Sequence, residues 1–158
     1  MRTVAIVTGT RADWGLLMPL AKALSLADGI ADRVRAMGRC MDEIADAFTS
    51  VNPDAVIILG DRYEMLAVAS AAAVMCIPII HIAGGEISEG AVDDEIRHAI
   101  TKLSTLHLTA TEPYRHRVIQ MGEHPDRVVN TGAIGVWNAF NTPLLSAEEL
   151  GRDLDLDL

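Results

Sequence analysis

The sequence predicts an α/β fold built on a doubly wound parallel sheet, and three observations carry that expectation. Short apolar runs at Ala55–Leu59, Ile77–Ile82, Leu106–Ala110 and Arg127–Asn130 alternate with helical stretches. Only a few residues separate each run from the next helix, which forces parallel pairing through right-handed crossovers. The chain is 50% hydrophobic but only 4% aromatic. Its core is therefore Ala, Val, Ile, Leu and Met, a palette suited to buried parallel strands under alanine-rich helices. The expected architecture is Rossmann-like.

At 158 residues the chain is long enough for one domain with a real core. A formal charge of −9 argues against nucleic acid or an anionic membrane as partner, since both need a basic field. A small phosphate-bearing molecule needs only a few local donors and stays admissible. Cys40 and Cys76 match no metal spacing and are expected as two buried free thiols. The start, MRTVAIVTGT, lacks the apolar length of a signal peptide. No run reaches the ~20 apolar residues of a membrane span. The expectation is a soluble, cytoplasmic protein.

The first element is a strand over Thr3–Thr8, closed by Gly9. Trp14, Leu17, Leu20, Ala21 and Leu24 share one face of a following helix, with Asp13 as N-cap. A strand, a glycine and a helix N-terminus carrying Arg11 can seat a phosphate. Many α/β proteins have such a turn without a ligand, so both readings stay open. Residues 25–39 carry no strand signal where a second strand is due; either a strand is omitted or residues are absent. A helix is expected over Met37–Val51, with Met41, Ile44, Ala45 and Phe48 on one side. Helices follow at Tyr63–Met75, Asp93–Ser104 and Glu112–Met121. Ser146 with Glu149 three residues on is a capping-box pattern that starts a short helix. The alternating Asp and Leu at the end look like a cut at an interdomain linker.

The chemistry concentrates in residues 54–103. Asp61 follows the strand Ala55–Leu59, and Glu86 follows the Gly84–Gly85 pair after the next strand. Asp93 and Asp94 open a helix that also carries Arg97 and His98. Singly, each acid has a structural explanation: Asp61 caps a helix, Glu86 is a solvated loop acid, and Asp93 and Asp94 answer a helix dipole. Together, Asp61, Glu86, Asp93 and Asp94 occupy loops on one edge of one sheet, where open α/β sheets bind ligands. Converging carboxylates raise one another's pKa, which tunes acids and bases for proton transfer. Arg62 can pair with Asp61 or with a ligand phosphate. His81 and His107 lie inside apolar strands and read as satisfied core histidines. No metal-ligand cluster appears, no metal or cofactor is expected, and the first turn is not G-x-G-x-x-G.

Four segments then carry a resemblance: VTGTRADWGLLMPL, ILGDRYEMLAVA, HIAGGEISEGAVDDEIRHAITKLS and YRHRVIQMGEHPDRVVNTGAIG. In this order they resemble the hydrolysing UDP-N-acetylglucosamine 2-epimerases of bacterial sialic and legionaminic acid synthesis. They cover nearly all of residues 1–24 and 53–138. The resemblance implies a GT-B-like enzyme of two Rossmann-like domains with the site between them. Residues 1–140 would be the N-terminal domain, short of a stretch around 25–39, and 141–158 the linker and start of a C-terminal domain. It implies cleavage of a UDP-2-acetamido sugar with inversion at C2, giving UDP and N-acetylmannosamine through a glycal. It also implies a UDP-sugar ligand and a homo-oligomer, with the chain inactive by itself.

By position, Asp61 and Asp93 or Asp94 match catalytic acids of that family. Arg11 matches a phosphate-facing residue, and Arg62 and Arg97 match motif arginines near the substrate. His98 is a further substrate-binding candidate, from its place beside Arg97. Some members carry a glutamate directly before the Gly-Gly pair, where this chain has Ala83, so Glu86 would take that proton-transfer role. Thr105 stands where the family commonly has histidine. The rival readings are a non-hydrolysing 2-epimerase and a UDP-sugar-binding domain without turnover.

Overall fold

The computed structural model of the chain describes residues 3–8, 29–90, 92–143 and 145–155. Its elements run β1 (Val4–Thr8), α1 (Ile30–Val51), β2 (Ala55–Leu59), α2 (Tyr63–Val74), β3 (Ile79–Ile82), α3 (Val92–Leu103), β4 (Leu106–Thr109), α4 (Glu112–Gln120), a 3-10 turn (Pro125–Arg127), β5 (Val128–Asn130), α5 (Ile134–Asn141) and α6 (Ala147–Leu154). The helix expected at Trp14–Leu24 and the loop bearing Arg11 lie outside the described residues.

The strands form one sheet in the order β1-β2-β3-β4-β5, and every neighbouring pair is parallel. The register places Ile58 beside His81 and His81 beside His107. This is the expected parallel α/β sheet. Helices α1, α2 and α3 pack side by side over one face. Val56, Ile58 and Ile79 point into the core beneath them, together with Met65, Val68 and Ile100. On the opposite face Ile82 and Leu108 line an apolar groove of about 270 Å³ with Ile134 and Trp137 of α5.

Helix α1 begins seven residues before the expected Met37 and absorbs much of the stretch that carries no strand signal. Its buried face is Ala36, Cys40, Ile44 and Phe48, at a spacing of four. Ile44 and Phe48 are buried as expected, while Met41 is exposed and Cys40 takes its place on that face. Helix α2 is alanine-rich because it lies between α1 and α3 and against β2, where a small side chain lets backbones approach. The strand expected from Ile77 starts at Ile79, since Pro78 has no N–H for a ladder. Cys40 is buried as expected, and burial pushes its thiol pKa up to about 12, with Glu43 and Glu64 adding to it. Cys76 is exposed instead, in the turn after α2 with φ 59°.

Two late elements complete the described chain. Helix α6 carries the expected capping box: the Ser146 hydroxyl accepts from the Glu149 N–H, and Glu149 accepts from the Ser146 N–H at 2.8 Å. Helix α5 was not expected, and Val136, Trp137 and Phe140 on it are exposed. Among the described residues no helix is long and apolar enough to cross a membrane.

Candidate active site

The carboxyl edge of the sheet gathers the expected acids because parallel strands all end on the same side. Strand β2 ends at Leu59 and hands the chain through Gly60 to Asp61. Helix α2 starts at Tyr63 with Arg62 in the N-cap position and no side-chain cap bond. Asp61 is therefore not a helix cap. Its carboxylate instead accepts a hydrogen bond from Nη2 of Arg97, on α3.

Arg97 is the hub. Its side chain is 5% exposed, and it also donates to Asp94 Oδ1 at 3.3 Å and to the Ser88 hydroxyl at 2.8 Å. Asp94 Oδ1 in turn accepts from the Ser88 N–H at 3.1 Å, which ties the loop before α3 to the helix's first turn. A buried guanidinium needs partners for its charge and donors, and here two carboxylates and a hydroxyl bond its two terminal nitrogens. The sequence led to the expectation that the carboxylates would meet and raise one another's pKa. Asp61 and Asp94 do not meet; the Arg97 cation stands between them. Both acids keep part of their surface open, at 24% and 31%.

His98 lies on the same helix with Nδ1 2.6 Å from the Asp94 carbonyl, which fixes its hydrogen on Nδ1. The second nitrogen stays available, since the side chain is 31% exposed. Glu86 and Asp93 are half-buried on the same edge, and among the described residues neither makes a side-chain hydrogen bond. Arg62 pairs with Glu64 at 2.8 Å rather than with Asp61. Burial works against its charge, but Glu64 outweighs that and raises its pKa. Its side chain remains 58% exposed. Arg11 lies outside the described residues. Thus Asp61, Asp94 and Arg97 form one bonded cluster, His98 flanks it, and Glu86, Asp93 and Arg62 stand around it without joining it.

The Gly84–Gly85 turn seats Glu86. A Cβ on Gly85 would stand 2.4 Å from the Tyr114 carbonyl oxygen and 2.9 Å from Val118, and φ is +79°. Only glycine lets this turn lie against α4. Arg117 of α4 donates to the Gly85 carbonyl and so pins the turn. Ala83, immediately before it, holds φ +67° without being glycine. Such strain persists only where surrounding bonds enforce it, and the Ala83 N–H donates to the Leu108 carbonyl at 3.0 Å.

Sequence reasoning missed three contributors. Ser88 carried no signal beyond its place in an acidic loop. Arg117 lay on a helix not connected with the site. His81, read as a satisfied core histidine, is fully buried and satisfied, but its partners belong to the site: Nε2 is 3.3 Å from the Gly60 carbonyl and Nδ1 3.3 Å from the Thr101 hydroxyl. Burial lowers its pKa to about 4, with His107 and Arg97 acting in the same direction. For His107 the expectation holds only in part. Its Nε2 reaches Glu123 at 3.2 Å, while among the described residues its buried Nδ1 has no partner.

Comparison with known proteins places this edge in a family context. A family described as UDP-N-acetylglucosamine 2-epimerase matches residues 7–156. A Campylobacter jejuni protein named GDP/UDP-N,N'-diacetylbacillosamine 2-epimerase (hydrolyzing) is 43% identical over 124 residues, covering 78% of this chain and 32% of its own length. An Escherichia coli protein named polysialic acid biosynthesis protein P7 is 48% identical over 117 residues, covering 74% of this chain and 30% of its own. A Legionella pneumophila UDP-N,N'-diacetylbacillosamine 2-epimerase (hydrolyzing) is 35% identical over 178 residues, 86% of this chain and 47% of its own. The chain thus spans between about a third and a half of the length of these relatives. Among solved structures, the UDP-N-acetylglucosamine 2-epimerase of Rickettsia bellii superposes with a TM-score of 0.74 at 18% identity, over 99% of this chain and 52% of that one. This shows the shared fold. With a family match running through almost its whole length, the chain belongs to the UDP-N-acetylglucosamine 2-epimerase family.

Proposed function

We propose that the protein carrying this chain is a hydrolysing UDP-sugar 2-epimerase. It would convert a UDP-2-acetamido sugar and water into UDP and the free 2-epimer. The relatives at 43% and 35% identity, both named as hydrolysing enzymes, support the hydrolysing branch. The observation that carries the reading is Asp61, released from helix capping and held by buried Arg97 at the open edge of the sheet.

The chemistry asks for three things: removal of the C2 proton, departure of UDP to leave a glycal, and addition of water across the double bond. A base and an acid must therefore stand on the two sides of one sugar ring, with cations near the departing diphosphate. In this reading Asp61 and Asp94, or Asp93 beside it, supply proton transfer. Their distances to a common cation keep them apart, so the two can act on different atoms. Glu86 is a further proton-transfer group, in place of the glutamate that other members carry where Ala83 stands. Arg11, Arg62 and His98 would face the substrate, and Arg62 has its guanidinium largely in solvent. Arg97 would hold the acids in orientation rather than contact the diphosphate, because both its terminal nitrogens are already bonded to Asp61, Asp94 and Ser88.

We further infer that residues 1–140 are the N-terminal domain of a two-domain GT-B-like enzyme, with 141–158 leading to the second domain. The Legionella relative aligns over 178 residues against 86% of this 158-residue chain, which supports a shortfall somewhere within the aligned stretch; we infer that it falls near residues 25–39. A cytoplasmic homo-oligomer fits this reading. Incubating the complete encoded protein with UDP-N-acetylglucosamine and with a UDP-2,4-diacetamido sugar tests the function. Free UDP together with the free 2-epimer is expected from one of them. Interconversion without UDP release would instead support the non-hydrolysing alternative, and no change in either substrate a binding domain.

A further inference from the structure

The buried imidazole of His81 touches every segment that carries the candidate site, yet it lies too deep to reach a ligand. Its Nε2 faces the carbonyl of Gly60, the residue before Asp61, at 3.3 Å. Its Nδ1 faces the Thr101 hydroxyl, also at 3.3 Å, and that hydroxyl is 2.9 Å from the carbonyl of Arg97 one turn earlier. A Cβ on Gly84 would come within 3.2 Å of the same Nδ1 and 3.3 Å of the Thr101 oxygen. The turn bearing Glu86 is thus pressed against the ring. One side chain, 0% exposed, stands between the backbone of Asp61, the helix of Arg97 and the turn of Glu86.

The chemistry of these partners sets its proton. A carbonyl oxygen only accepts, so Nε2 must carry the hydrogen and donate to Gly60. Nδ1 then carries no hydrogen and faces the Thr101 hydroxyl at 3.3 Å, whose one hydrogen goes first to the nearer Arg97 carbonyl at 2.9 Å. A second proton is opposed first by burial and then by His107 and Arg97, which outweigh the Gly60 carbonyl and Asp61 in its favour.

We propose that His81 is a positioning residue for the epimerase site: as a neutral Nε2–H imidazole it sets Asp61 against Arg97 and seats the Gly84–Glu86 turn without touching substrate. The proposal rests on the functional reading above. Residues that orient groups acting on the substrate without contacting it affect activity on the order of 10- to 100-fold when removed.

The test uses the complete encoded protein with His81→Phe, which keeps the ring volume and removes both nitrogens, and His81→Gln, whose amide can still donate toward Gly60. The expected result is a folded Phe variant with kcat lowered on the order of 10- to 100-fold and KM little changed, and a Gln variant that regains most of the loss. Two-dimensional NMR of nitrogen-labelled protein adds a reading that needs no turnover. The wild type should show the Nε2–H tautomer, and the Arg97 Nε–H resonance should move in the Phe variant but not in the Gln variant. Unchanged kcat in a folded Phe variant, equal loss in Phe and Gln, or an Nδ1–H tautomer would overturn the proposal. Should the Phe variant not fold, the Gln variant and the tautomer decide. Should the wild type release no UDP, the functional reading fails, while the tautomer and the Arg97 resonance still judge the role of His81.

Discussion

Arg97 and Asp61, 36 positions apart in sequence, form an ion pair in which the arginine is almost wholly buried and the acid is partly open. The pair joins the end of β2 to the first half of α3 and fixes which way Asp61 faces. It also changes what Asp61 is, from a helix cap to an acid presented at the sheet edge.

Asp61→Asn keeps the side chain's shape and its capacity to accept from Arg97, but it removes the proton-transfer group. UDP release should fall by about 10²- to 10⁴-fold while the circular dichroism spectrum and melting temperature stay close to wild type. Activity within a few-fold of wild type would remove Asp61 from the mechanism.

Arg97→Ala leaves Asp61 and Asp94 facing each other without the cation that both use. Breaking a buried pair by removing one partner costs about 3–5 kcal/mol. The openness of both acids to solvent places this one at the lower end. Denaturant unfolding measures the loss. Arg97→Lys should recover little of it, because a single ammonium cannot span Asp61, Asp94 and Ser88 at once.

Stability should decline in acid over a definite window. In the unfolded chain His81 takes up a proton near its ordinary value of about 6.5, whereas burial holds it back to about 4 in the folded chain. Between these values the unfolded state binds more protons, so unfolding becomes easier as pH falls. The loss from His81 is up to about 3 kcal/mol, complete by about pH 4. His107, whose pKa burial also lowers against the opposing pull of Glu123, acts with the same sign. Urea midpoints measured from neutral to about pH 4 check this, and a flat profile in that range would contradict it.

Gly85→Ala should be among the most damaging small substitutions in the chain. The added methyl meets the Tyr114 carbonyl oxygen at 2.4 Å, and φ +79° disfavours any side chain. A loss above about 2 kcal/mol is expected, whereas alanine at Gly38, an exposed helical site where nothing lies within 4 Å, should gain up to about 1 kcal/mol. Comparable melting temperatures for the two variants would mean that the turn can yield.

Much of this protein was legible in its residues because strand and helix periods are local. The runs ending at Leu59 and Ile82 determined parallel strands, and Ser146 with Glu149 determined the start of α6. The order GDRYEM, GGE, DDEIRHAITKL in the sequence determined the family. Helix α1 shows where local reading weakens: Ile44 and Phe48 are buried as expected, but Cys40 rather than Met41 continues the stripe, since a long helix offers nearly equivalent apolar faces. Tertiary structure alone decided how the acids relate. Nothing in the residues around Asp61 distinguishes a cap from an ion-paired acid, because the deciding partner comes from α3, across a strand and a helix. Likewise a histidine in an apolar strand reads as core until the ends of its ring are seen against Gly60 and Thr101. Sequence determined which groups stand on the carboxyl edge. Packing decided that a buried arginine separates two of them and that a buried imidazole braces all three segments, because such contacts are set by distance in space rather than along the chain.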